Sequence, residues 1–416
     1  MRRTTTIIIG AGHAGLAMSR CLTLYGVDHV LLERGEVANS WRTERWDSLR
    51  LLTPNWQSRL PGNAYRGDNP DGFFTVSETI DFIAGYASEI NAPVETATQV
   101  LDVVQDGDSF AVRTSRGDWR CRTLIVASGS MNIPNIPSYA NDLSPDIRKL
   151  ASKDYRNPDQ IEDGGVLVVG PSASGVQIAH ELQCAGRDVI LSVGEHVRMP
   201  RTYRGKDIHW LMDQSGLFDT KIAEVDDINR VRRLPSPQLM GSATRTTVGL
   251  NSLQCQGVEI VGRTMSANGA SLQFSGALAN VCRLADLKMN RLLRTLDDWI
   301  ESAGPTDELD AAYELRPTSV PQVPRLSMNL KDRGVKTIIW ATGFRPDYSW
   351  LNLPVFDRRG QLRHNGGVVD MPGVYAMGLP FMRKRKSTFI DGAGDDARDL
   401  SNHLAQYLAG AAVNAA

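Results

Sequence analysis

An α/β fold with two dinucleotide-binding units is predicted by three features of the sequence. A glycine-rich turn joins a strand to a helix near the N-terminus, the same unit recurs in mid-chain, and a further strand and helix of the first kind close the chain. Ile7-Ile8-Ile9 is a short β-branched run, too short for a buried helix. Gly10, Gly12 and Gly15 follow as G-x-G-x-x-G, then a helix ending at Gly26, then the strand Val30-Leu31-Leu32. The first glycine permits a tight turn, the second lets the backbone approach a pyrophosphate, and the third lets helix and strand pack closely. The helix N-terminus offers N–H groups and a favourable dipole to phosphates. Glu33 ends the second strand, where a carboxylate can hold both ribose hydroxyls of an adenine nucleotide.

After Glu33, Trp41, Trp46 and Trp56 lie close together, with Arg42 and Arg45 between the first two. This stretch reads equally as a packed surface loop and as a platform for a flat ring. Ser77 to Ala92 is predicted as an amphipathic helix with Ser77 as N-cap. Gln99–Val104, Ser109–Thr114 and Trp119–Val126 are predicted strands, the last running into Ala127-Ser128-Gly129.

At Gly165 the opening pattern repeats. Val166–Val169 is a strand, Gly170-Pro171-Ser172-Ala173-Ser174-Gly175 a phosphate turn, Val176–Cys184 a helix and Val189–Leu191 a strand. Gly186 falls sixteen residues after Gly170, as Gly26 does after Gly10. A whole supersecondary unit is therefore repeated. Val193 stands where the first unit has Glu33, and Arg198, Arg201, Arg204 and Lys206 follow. With no acid to repel a 2′-phosphate and cations nearby, this favours NADP over NAD. The alternative is that these are solvated loop charges.

Asn290–Ser302 is predicted helical, and Pro317–Pro324 is a proline-rich connection. The strand Lys336–Trp340 leads into Ala341-Thr342-Gly343, mirroring Thr123–Gly129. These two turns are the expected crossings between domains. Residues 1–160 and 336–416 are expected to form one discontinuous domain, with 161–335 inserted as a second domain carrying a helical cover. Gly373–Gly378 is read as a strand, Phe381–Ile390 as a basic loop, and Asp395 and Asp396 as the first turn of a final helix. The run Arg383-Lys384-Arg385-Lys386 is either a solvated loop or a charge that steers an anionic ligand.

The bulk properties exclude several classes. Over 416 residues, 42% are hydrophobic and 22% charged, with a net charge of -1, so no general attraction to nucleic acid or anionic membrane is expected. No apolar run reaches transmembrane length, and a cytoplasmic protein is the default expectation. Arg2-Arg3 before the apolar run belongs to the first strand rather than to a signal peptide. The 5 cysteines are scattered with no C-x-x-C, which argues against a disulfide framework, a zinc site or a redox dithiol. No metal site is expected.

With two fingerprints and two A-[ST]-G crossings, the sequence resembles the two-dinucleotide-binding-domain flavoproteins. Within them it is similar to the flavin-containing monooxygenases, including the plant YUCCA type. The stretches that carry this are S-W-R-x-x-R-W-D-S-L-R-L-L-T-P from Ser40, D-Y-R-N-P from Asp154, W-A-T-G-F-R-P-D from Trp340 and G-x-G-D-D-A from Gly392. The resemblance implies FAD held by Gly10, Gly12, Gly15, Glu33, Arg34, Trp41, Arg42, the backbone at Val100, and Asp396. It implies NADPH held by Gly170, Ser172, Ser174, Gly175, Arg198 and Arg201, and a flavin-proximal Asn55. It further implies transfer of one atom of O2, through a C4a-(hydro)peroxyflavin, to a small substrate with nucleophilic nitrogen or sulfur.

One departure stands out. The family's F-x-G-x-x-x-H-x-x-x-[YFW] element ends here at Tyr155, and Ala151 occupies its histidine position. This keeps open an NADPH oxidase or flavin-dependent reductase. Baeyer–Villiger oxygenation is a further alternative, and homodimerisation is left open.

Overall fold

The computed structural model describes residues 1–304 and 309–413. The first sheet runs His364–Asn365, Val368–Val369, Val374–Ala376, Thr123–Val126, Thr6–Ile9, His29–Leu32 and Val94–Glu95 in spatial order, and its last five strands are parallel. Thr6–Ile9 is buried along its whole length between two neighbours, which is why it reads as an unbroken apolar run. A four-stranded sheet built from Arg2–Arg3, Trp119–Cys121, Ser109–Thr114 and Val100–Asp106 lies beside it. The expected strand Trp119–Val126 is thus two strands, broken at Arg122, each in its own sheet.

The helix after the tryptophan-rich segment spans Val76–Glu89 and is capped by Thr75, not Ser77. The Thr75 hydroxyl accepts from the Glu78 N–H, and the Glu78 carboxylate accepts from the Thr75 N–H. This reciprocal box satisfies two otherwise orphaned donors.

The second sheet is wholly parallel, in the order Arg148–Ala151, Val335–Trp340, Gly165–Val169, Val189–Val193 and Glu259–Gly262. Val335–Trp340 pairs on both edges inside this sheet. The inserted unit therefore extends from Arg148 to Trp340, wider than the 161–335 expected from the second fingerprint. The crossings lie side by side: Ile133–Pro134 pairs with Phe344–Arg345, and the Asn135 N–H donates to Gly343 O at 2.9 Å.

The long helix of the inserted unit spans Leu278–Ala303, starting twelve residues before the expected Asn290. Its buried positions Leu278, Cys282, Ala285, Met289, Leu293, Leu296 and Ile300 follow helical spacing throughout. The last helix, Ala393–Val413, packs along the first helix, His13–Leu24. Among the described residues no helix is long and apolar enough to cross a membrane.

The glycines of the two turns differ in what surrounds them. A Cβ on Gly15 would strike the carbonyl oxygen of Gly10, and one on Gly175 that of Gly170, whereas one on Gly12 would meet nothing within 4 Å. Gly175→Ala is expected to lower the thermal midpoint by roughly 6–12 °C, equivalent to about 3 kcal/mol in a domain of this size. Gly12→Ala should leave the midpoint of cofactor-free protein unchanged. Thermal unfolding of the two variants followed by circular dichroism checks the contrast.

Candidate nucleotide-binding site

Each fingerprint forms a cradle at the C-terminal end of its sheet. Gly10 (φ 108°) and Gly170 (φ 114°) take a left-handed backbone that disfavours other residues, and each lies against a crossing turn, at Ala127 O and Ala341 O. The helices that follow, His13–Leu24 and Ala173–Cys184, have Gly12 and Ser172 at their N-caps, and neither makes a side-chain capping bond. The first-turn N–H groups are thus left for a ligand, next to the open space above Gly12. Ser172 and Ser174 are half-buried at the second turn.

At the first rim, Glu33 is buried and its carboxylate accepts from the Ala11 N–H at 2.9 Å and the Gly35 N–H at 3.0 Å. A carboxylate has about four acceptor positions, so Glu33 can fix the turn and still hold ribose hydroxyls. Thr98 N–H donates to Glu33 O at 2.7 Å, which brings the segment leading to buried Val100 beside this rim. Arg34 is committed to Glu44 at 2.6 Å, and Arg42 to Val37 O at 2.9 Å and Glu36 at 3.4 Å. Both arginines therefore shape the loop rather than project into the cradle. Trp41, on the short helix Asn39–Thr43, packs against the cores of both domains and lies under Arg45 at 5.1 Å. Trp46 is buried within the inserted unit's core. The tryptophan-rich stretch thus wedges between the domains at Trp41.

Several buried polar atoms near this cradle lack partners among the described residues. Asn55 Nδ2 donates to Asn69 O at 2.9 Å, which leaves Oδ1 unpartnered. Ser58 Oγ, Ser128 Oγ, His13 Nε2 and Asp396 Oδ2 are likewise without partners. Ser128 belongs to the first crossing turn, His13 opens the first helix, and Asp396 lies in the first turn of the last helix. Native interiors rarely leave such groups unsatisfied, which makes this set a candidate for contact with a polar ligand. Only Asn55 and Asp396 were legible in the sequence. Burial pushes the His13 imidazole down to about 4, against a hydrogen bond to the Thr388 backbone, and keeps it neutral. Burial raises the Asp396 carboxyl to about 6, opposed by a hydrogen bond from Ser387.

The second rim departs from expectation. Arg198 is bound to Asp286 at 2.6 Å and to Arg316 O at 2.7 Å. Arg201 is completely buried, pairs with Asp207, donates to Leu52 O at 2.7 Å and lies 4.8 Å from the Phe73 ring. It clamps the cover onto the first domain and is not available to a 2′-phosphate. Arg204 is bound to Asp297 and Asp310 O. The basic run is also committed: Lys384 bridges Asp219 (2.7 Å) and Asp395 (3.0 Å), and Lys386 reaches Asp219 at 3.2 Å. Neither a solvated loop nor a free steering charge describes it.

This arrangement defines an α/β fold with two Rossmann-like dinucleotide-binding units. Residues 7–208 match the pyridine nucleotide-disulphide oxidoreductase family model. A CzcO-like oxidoreductase of Geobacillus kaustophilus is 30% identical over 404 residues, covering 96% of this chain and 98% of that protein. The chain belongs to this CzcO-like oxidoreductase family. The indole-3-pyruvate monooxygenase YUCCA1 of Oryza sativa is 31% identical over 188 residues, covering 42% of this chain and 44% of its own. In fold, the chain is similar to a flavin-containing monooxygenase from Stenotrophomonas maltophilia, with TM-score 0.67 and 19% identity over 98% of this chain and 100% of that one. The protein is an oxidoreductase.

Two outcomes are expected. Arg201→Ala should cost ~3–5 kcal/mol by leaving the buried Asp207 carboxylate without its cation; thermal melts and urea midpoints check this. Asp396 has a folded value above its ordinary 3.8. Its contribution to flavin-free stability is therefore complete below 3.8 and lost as the pH rises through about 6. Urea midpoints measured across that range should fall more steeply for wild type than for Asp396→Asn.

Proposed function

We propose that this chain is an FAD- and NADPH-dependent monooxygenase that transfers one oxygen atom of O2 to a small nucleophilic nitrogen or sulfur substrate. The observation that carries the reading is two open cradles on a chain without a dithiol. Cys21, Cys121 and Cys282 are buried, with thiols raised by burial to about 11, about 12 and about 11, and Cys184 and Cys255 are unpaired. No cysteine pair stands ready to receive electrons, so a diffusible acceptor is required, and oxygen is the one the resemblance supplies. When bound, FAD supplies hydride acceptance from NADPH and activation of O2.

The residues divide the remaining work. Gly10, Gly12, Gly15 and Glu33 hold the flavin nucleotide, with the stretch at Val100 beside it. Gly170, Ser172, Ser174 and Gly175 hold the nicotinamide nucleotide. Asn55, its amide fixed by Asn69 O, presents Oδ1 as an acceptor. Neutral His13 gives Nε2 without adding charge, and Asp396 can hold a proton on Oδ2 near pH 6. The cover packs onto the first domain through Ile208, Leu211 and Phe218, which cluster with Leu52 and Phe389. Water exclusion protects a reactive oxygen species from unproductive breakdown.

Ala151 supports a second reading, an NADPH oxidase. It ends the strand Arg148–Ala151, buried and paired with Trp340, so no imidazole stands at that point. The two readings separate by product. With 18O2, NADPH and a panel of tertiary amines and sulfides, a monooxygenase yields labelled N-oxide or sulfoxide in step with NADPH consumption. Hydrogen peroxide equal to the NADPH consumed, with every substrate, would establish the oxidase.

A further inference from the structure

We propose that Arg263 selects the nicotinamide nucleotide by pairing with a 2′-phosphate on its adenosine ribose; this rests on the second cradle holding such a nucleotide. The two cradles superimpose in their hydrogen bonding. Gly170 N–H donates to Ser192 O at 3.0 Å, as Gly10 N–H donates to Leu32 O at 2.9 Å. Val193 therefore stands where Glu33 stands, and Gly194 takes the next position on the rim. Val193 is fully buried and apolar. It can neither bind a 2′-hydroxyl nor repel a phosphate there.

Gly194 carries no side chain, but a neighbour fills its place. Val193 and Gly262 are partners in the parallel pairing of Val189–Val193 with Glu259–Gly262. Arg263 thus emerges beside Gly194 at the C-terminal ends of the strands, where open α/β sheets bind nucleotides. A Cβ built on Gly194 would lie 3.6 Å from Cγ and Cδ of Arg263 and 3.9 Å from its Cβ. The aliphatic stem of Arg263 therefore runs over the bare backbone of Gly194.

The surroundings fix the base of this side chain and leave its head free. Arg263 O accepts from the Ser275 N–H at 2.8 Å, and the next N–H, of Thr264, donates to Ser192 Oγ at 2.9 Å. His196 Nδ1 hydrogen-bonds Gly194 O at 3.0 Å. Arg263 is exposed, and its guanidinium has no hydrogen-bond or ion-pair partner among the described residues. The nearby acid, Glu195, is paired with Lys288 at 3.0 Å. Arg198, Arg201 and Arg204 are held by Asp286, Asp207 and Asp297. A guanidinium fork matches a phosphate with two parallel hydrogen bonds, and a lysine ammonium does not.

The test is calorimetric titration of the FAD-loaded protein with 2′,5′-ADP and with 5′-AMP, for wild type, Arg263→Ala and Arg263→Lys. Wild type should bind 2′,5′-ADP more tightly than 5′-AMP. Arg263→Ala should lose on the order of ten- to a hundred-fold toward 2′,5′-ADP and bind 5′-AMP as wild type does, with Arg263→Lys in between. If Arg263→Ala keeps the wild-type preference, the role of Arg263 is overturned while the preference for NADPH stands. If it loses both ligands equally, Arg263 supports the rim rather than the phosphate, and the proposal fails. If wild type binds the two ligands equally, the preference for NADPH itself is wrong.

Discussion

The arrangement depends on backbone packed against backbone at two glycine turns. Gly10 lies on the carbonyl of Ala127 and Gly170 on that of Ala341, while Gly15 and Gly175 each lie on the carbonyl of the first glycine of their own turn. A side chain at any of these four positions would push the helix off its strand or the crossing off the turn. The same contacts decide where ligands can sit. They draw the uncapped helix N-termini and the crossing turns to one end of each sheet. Ser128 reaches the first cradle because the crossing that carries it is held there.

Charge, not apolar area alone, joins the inserted unit to the first domain. Arg59, bonded to Asp391 of its own domain at 2.6 and 3.0 Å, also reaches Asp213 of the cover at 4.0 Å. Lys384 and Lys386 link Asp219 of the cover to Asp395 and Asp391 beside the last helix. Backbone bonds run alongside, from Ile222 N–H to Arg383 O and from Arg385 N–H to Thr220 O. Exposed ion pairs contribute little individually. Here acids and cations form one network: Asp213, Asp219, Asp391 and Asp395 face Arg59, Lys384, Lys386 and Arg398, and burial raises the Asp213 carboxyl. Burial opposes the charge on Lys384, but Asp219 and Asp395 outweigh it, so Lys384 holds its proton more firmly. Such a set orients the cover and prevents repulsion among the acids.

What could be read from the sequence was local. The strand–turn–helix units follow from glycine spacing and apolar runs, because every contact they need lies within about thirty residues. Glu33 was legible for the same reason. Arg201 was misread because its partners, Asp207, Leu52 and Phe73, include two from a distant segment, and an arginine bound for burial looks like one bound for phosphate. The wider inserted unit went unseen because Arg148–Ala151, with two charged or polar side chains among four, becomes a strand only beside Val335–Trp340. His13 carried a usable signal, an imidazole at an unassigned position inside the first fingerprint. Arg263 carried none: its relevance comes from the register of two strands and the missing side chain of Gly194.

The halves of this repeat differ in the way their proposed roles require. The first rim is enclosed by its own chain, with Ala97 and Thr98 bonded across to Gly35 and Glu33, and the last helix laid along the helix that begins at His13. A nucleotide seated there would be retained through many turnovers. The second rim ends in the bare backbone of Gly194 under an exposed arginine. Long-range attraction to a charged phosphate speeds arrival, and an open rim permits departure. One supersecondary unit used twice can thus give a resident cofactor and an exchanging one. The difference lies not in the glycines, which serve both alike, but in which side chains close the rim above them.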